Sequence, residues 1–147
     1  MLLMVGAAFV TSGSDAIRPV VVETNTPIVG TNHLTAEALY VEGTGGKIWT
    51  LISLGERVPS NAHVIVTTSA DLDTQITVRL FRGTNYVAAQ DYSLGQFQIV
   101  GIAPAPKGSP RVELSLTVTE QVILVSARDW TNKVPYAIRR AIEKAKP

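Results

Sequence analysis

The sequence predicts an all-β protein, a β-sandwich of about seven to eight mostly antiparallel strands with a short C-terminal helix. Three observations carry that expectation. From about residue 34 onward, apolar residues recur at every second position in several separate runs, the period of a strand with one buried face. These runs are short and are punctuated by turn-forming residues at the spacing of a sandwich or barrel. Of the 147 residues, 46% are hydrophobic, enough for one core in a chain of single-domain length.

The elements follow in order. MLLMVGAAFVTSG reads as a helix ending near Gly13. Its apolar stretch is too short to span a bilayer, and no basic segment precedes it as in a secretory leader. From Ser14 to His33 the chain reads as irregular, with PVVVE (19–23) as an isolated apolar run. ALYVEG, the break GTGG and KIWTLIS read as a hairpin. HVIVTTSA, the turn DLD and TQITVRLFRG read as a second hairpin, in which Ile76, Val78 and Leu80 alternate with Thr77, Arg79 and Phe81. NYVAAQDY reads as a shorter strand. QFQIVGI sets Phe97 and Ile99 on one side, and RVELSLTV sets Val112, Leu114, Leu116 and Val118 on one face. Between them, Pro104, Pro106, Gly108 and Pro110 spell a stiff loop that no helix or central strand accepts. VILVSARD closes the set after a short turn. The predicted core is Leu80, Phe97, Ile99, Leu114, Leu116 and Val125. Beyond it, VPYAIRRAIEKAKP spaces Ile138, Ala141, Ile142 and Ala145 at helical intervals, with Pro135 early and lysines late, which predicts a short helix within 130–147.

Charge and composition exclude several function classes. The formal net charge is +1, which argues against a dedicated nucleic-acid surface. Residues 133–147 carry five basic residues against Glu143, a net of +4, leaving −3 for the rest; a solvated helix face accounts for that tail better than contact with an acidic partner. No cysteine occurs, so no disulfide, thiol nucleophile or cysteine-based zinc site is possible. A cytoplasmic location and no membrane partner are expected. Gly43, Gly45, Gly46 and Lys47 fail as a phosphate loop, which needs glycine at Val41 and Ser or Thr at Ile48; a dinucleotide fingerprint needs glycine at Ile48. His33 and His63 lack a ligand pattern, and Asp71 and Asp73 read as turn carboxylates bonded to backbone. No nucleophile–base pair stands out, so neither an enzyme nor a metal site is expected.

SLGQFQIVGIAPAPKGSPRVEL (93–114) resembles the signature of the peptide-binding domain of the 70-kDa heat-shock (DnaK-type) chaperones, where a similar S-L-G-x-F-x-L-x-G-I-x-P-A-P-x-G-x-P-x-I-x-V run occurs. The likeness extends upstream through VPSNAHVIVTTSADLDTQITVRLFRG and LTAEALYVEGTGGKIWTLI, and downstream to ILVSARD, covering residues 34 to 129. VGAAFVTSG resembles the last helix of the family's ATPase domain, PVVVE its interdomain linker, and residues 24 to 33 look like an insertion. The resemblance therefore implies three parts: 1–33 as domain end, linker and insertion, 34–129 as the peptide-binding sandwich, and 130–147 as the short helix. The family's final strand and helical lid find no match after Asp129. ATP is expected only for the ATPase domain, whose nucleotide-binding residues match nothing in this chain.

The resemblance implies a sandwich whose loops cradle an extended peptide over an apolar pocket. The pocket positions correspond to Val41, Gly43, Thr44, Val66, Thr67, Ser69, Ile76, Val78 and Val112. Val66 stands where well-known members carry a larger aromatic, and the two arch positions, which usually include a large hydrophobe, are Thr44 and Ser69. The implied partners are unfolded or extended hydrophobic peptides, the ATPase domain and cochaperones. The apolar segments before residue 24 add possible self-association. An alternative reading keeps the sandwich as a protein-docking scaffold without client binding.

Overall fold

The computed structural model describes residues 18–23, 28–85 and 92–141. The first helix expected from MLLMVGAAFVTSG and most of the NYVAAQDY strand lie outside the described residues. Within them the chain forms nine strands: β1 Val20–Val22, β2 Ala38–Glu42, β3 Ile48–Ile52, β4 Ser60–Val66, β5 Gln75–Gly83, β6 Ser93–Val100, β7 Val112–Val118, β8 Ile123–Asp129 and β9 Pro135–Ala141. The predicted all-β class is the observed one, and among the described residues the sole helical turn is a 3-10 turn at Thr44–Gly46.

The strands follow one hydrogen-bonded path, β3-β2-β5-β6-β9-β8-β7-β4, with β1 attached to β8. Every pairing is antiparallel. The path folds over so that alternate residues of its two halves meet in one core. Leu39, Val41, Ile76, Val78, Leu80, Phe97 and Ile99 come from one half; Val66, Val112, Leu114, Leu116, Val118, Ile123 and Val125 come from the other. All six residues expected in the core are buried there. Alternation sets Phe81 on the face opposite Leu80, where it joins Ala38 and Tyr40 in a second, smaller cluster.

Three expectations need correction. The first concerns the C-terminal segment, where a helix was expected and Pro135–Ala141 is strand β9; residues 142–147 lie outside the description. β9 pairs with β6 from Gln96↔Ala141 to Val100↔Ala137 and with β8 at Ala127↔Tyr136 and Arg128↔Pro135, so it joins the two halves. Two open strand edges offer backbone partners worth more than a weak helix propensity, and Pro135 is tolerated as the first strand residue because it has no N–H to place in a ladder. The basic tail is correspondingly no helix face over 135–141: Arg139 pairs with Gln98, and Arg140 lies over the Phe97 ring.

The second correction concerns β4 and β5, which are not a hairpin. β4 pairs with β7, whereas β5 lies between β2 and β6, so residues 67–74 cross between the halves. A corner and a hairpin carry the same turn residues, and only the distant partners distinguish them. The third concerns PVVVE, which is not irregular. Val20–Val22 add to the edge of β8 opposite Ile123–Val125, and Val22 is fully buried. The linker-like run is thus already engaged within its own molecule. The β2–β3 hairpin stands as expected, and β7 and β8 pair across the short turn between them.

Candidate functional site

The nine residues singled out by the sequence gather at one end of the sandwich, where β2 and β4 end and β5 and β7 begin. Alternation places the aliphatic ones inward. Val41, Val66, Ile76, Val78 and Val112 belong to the same core cluster, and each is at most 2% exposed. They form a continuous aliphatic floor that is covered in this conformation.

Two loops lie over that floor. The turn after β2 is closed by the Gly43 N–H, which donates to the Lys47 carbonyl at 2.8 Å, and by Gly46 N–H to Gly43 O at 3.1 Å. Gly45 and Gly46 take φ of 73° and 75°, the left-handed region that suits glycine. Gly43 leaves room for the indole instead: a Cβ there would stand 2.8 Å from Cζ3 of Trp49, so the ring would have to shift. From this turn the Thr44 hydroxyl donates to the Thr67 carbonyl at the end of β4, so the two arch elements are clasped.

The second loop, 67–74, is stitched to the proline loop. Thr67 Oγ1 donates to Pro110 O at 2.5 Å, and Thr68 Oγ1 accepts from Gly108 N–H at 3.2 Å. Asp71 Oδ1 accepts from Lys107 N–H at 2.8 Å, Leu72 N–H donates to Ala105 O at 2.8 Å, and Ile102 N–H donates to Thr74 O at 3.0 Å. Asp73 Oδ2 accepts from Ala70 N–H at 3.0 Å and from the Ser69 hydroxyl at 3.3 Å. The turn-carboxylate reading of Asp71 and Asp73 is borne out. The prolines hold φ near one value, so the backing of loop 67–74 is rigid before the loop is laid on it.

The sequence reading missed Trp49. In the β2–β3 ladder it lies directly opposite Val41, on the same inward face, and it packs partly buried against the aliphatic cluster. The available signal was register: pairing across GTGG sets Trp49 beside Val41. Lys47 Nζ stands 5.6 Å from the Trp49 ring centroid.

Elsewhere, several polar groups pair with one another. Arg128 Nε donates to the buried Glu113 carboxylate at 2.5 Å, and this bond holds the Glu113 carboxyl below its usual range against the opposing effect of burial. Asp129 is likewise lowered, first by the Asn132 N–H, then by the Thr131 N–H and the Tyr136 hydroxyl. Burial and the Asp129 contact raise Tyr136. His33 Nδ1 and Glu120 Oε1 are 2.7 Å apart at the surface. Among the described residues no group of three or more His, Cys, Asp or Glu could hold a metal ion. A cleft of about 460 Å³ between Arg18, Ser126, Arg128, Lys133 and Tyr136 involves none of the nine residues.

The sequence that folds into this all-β sandwich belongs to a class shared with other proteins. The family profile described as Hsp70 protein matches residues 7–145. This chain is 35% identical over 97 residues to the mitochondrial heat shock 70 kDa protein of Pisum sativum, covering 65% of this chain and 14% of that protein. It is 36% identical over 97 residues to heat shock protein hsp-6 of Caenorhabditis elegans (65% and 15%) and 37% identical over 97 residues to chaperone protein DnaK of Picrophilus torridus (65% and 16%). The chain belongs to the Hsp70 family, and it spans about a seventh of the length of these curated relatives.

Proposed function

We propose that residues 34–141 are a client-binding module of an Hsp70-type chaperone, holding extended hydrophobic segments of unfolded proteins. The observation that supports this reading best is the convergence of Val41, Val66, Ile76, Val78 and Val112 beneath the clasped loops. Binding would combine main-chain hydrogen bonds from the loops with burial of one aliphatic side chain, worth about 1.5–3 kcal/mol. The module performs no catalysis of its own, and ATP belongs to the family's ATPase domain, which with cochaperones is its natural partner. Thr44 and Ser69 give the arch little apolar closure, so clients should exchange fast, an effect expressed mainly in the dissociation rate.

Fluorescence polarisation with labelled heptapeptides tests the reading. A central leucine should bind saturably, and a central aspartate should not. Equal binding of the two, or none, would overturn it. A docking scaffold without client binding is the second reading. It is favoured by the covered floor and by the Thr44 hydroxyl, which is already committed to the Thr67 carbonyl.

A further inference from the structure

We infer that Trp49 is the gate and size filter of the aliphatic floor, an inference that rests on the peptide-binding reading above. Its surroundings set it at the edge of the floor, beside the turn after β2. Its ring edge lies so close to Gly43 that a Cβ there would stand 2.8 Å from Cζ3 and 3.4 Å from Cη2. The same point is 3.6 Å from Cγ1 of Val66, so the indole and Val66 converge on the arch glycine. Across the ladder the indole shares its face with Val41. Two of the five floor residues are therefore its neighbours.

The indole is only partly buried, whereas the five floor residues are at most 2% exposed. It therefore reaches solvent at the edge of the floor, with the Lys47 ammonium beside its ring. A guest side chain reaches the floor at this end only if the indole swings out. The competent state is then a fraction of the molecules, and apparent affinity is reduced by that fraction. A displaced indole that stays beside the guest competes with it for volume, which favours leucine-sized guests over aromatic ones.

The test uses the full 147-residue chain, with W49A, W49F and W130F variants and heptapeptides centred on leucine or phenylalanine. Removing the gate should tighten leucine-peptide binding by about tenfold, equivalent to ~1.4 kcal/mol, and should bring the phenylalanine peptide up to the leucine one. W49F, which keeps an apolar cover, should fall between W49A and the parent. In W130F, where Trp49 is the remaining indole, emission should shift to the red along the same saturation curve as polarisation; this readout holds even if W49A fails to fold. Unchanged or weaker leucine binding by W49A, an unaltered leucine-to-phenylalanine ratio, or flat Trp49 emission during saturable binding would overturn the gate and leave the peptide-binding reading standing. Absence of binding by every variant, W49A included, would remove that reading and the gate with it.

Discussion

The Thr44 hydroxyl joins the turn after β2 to the end of β4 through a bond that an aliphatic residue cannot make. Thr44→Met should therefore lower stability by about 1 kcal/mol, the usual worth of one such bond. It should also tighten peptide binding, because the Thr67 carbonyl is released and apolar cover is added. Denaturant titration and polarisation read the two effects, and no change in either would contradict the clasp. Arg128 makes a second residue-scale case. It holds buried Glu113 ionised, so the folded carboxyl gives up its proton more readily than the unfolded one. The stability this contributes is present above the ordinary carboxylate range and is lost as pH falls below about 4, where the unfolded chain binds more protons. Arg128→Gln should lower stability at neutral pH and flatten the loss between pH 5 and pH 3. Profiles of parent and variant that ran parallel would refute the assignment.

At the scale of elements, β9 and the proline loop organise the rest. β9 bridges β6 and β8, and Ile138 lies opposite Ile99 against the core. Ile138→Pro interrupts the ladder and should cost about 2 kcal/mol or more of global stability, read as a fall in denaturant midpoint. An unchanged midpoint would mean that the segment is peripheral. The loop 67–74 should depend on its backing in the same way. Asp71→Ala removes the acceptor for the Lys107 N–H and should raise the peptide dissociation rate severalfold with little change in stability. Dissociation as slow as the parent's would count against the buttress. The sequence made some of these elements legible and hid others for a physical reason. Alternation marked Ile76, Val78, Phe97 and Leu114 because a buried face is a local pattern. For β9 the pattern was ambiguous, since Ile138 and Ala141 fit a helix while Tyr136 and Ile138 fit a strand. The deciding facts, two unfilled edges on β6 and β8, lie far away in the chain. The same holds for β4 and β5, whose partners are non-local, and for Val20–Val22, whose strand exists because the edge of β8 beside Ile123–Val125 is open to it.

For the molecule as a whole, the path starts at β3 and ends at β4, and among the described strands these two are not paired with each other. The arch loops sit at one end of that seam, and the Thr44–Thr67 bond spans it there. A seam flanked by two clasped loops is a natural place to admit an extended chain, whose main chain can satisfy loop groups while a side chain enters the core. The candidate site residues were legible through family resemblance, which carries spatial information that periodicity lacks. The place of Trp49 beside Gly43 was not, because it depends on the pairing across the turn. The central claim is that Val41, Val66, Ile76, Val78 and Val112 together seat one aliphatic side chain of an extended peptide. Methyl-resolved NMR of the isoleucine- and valine-labelled chain, titrated with a leucine-centred heptapeptide, tests it most directly. The account predicts saturable shifts at those five residues, with Val118, Ile123 and Val125 at the far end unmoved. Saturable shifts confined to the far end, or no shifts at the five during binding, would contradict it.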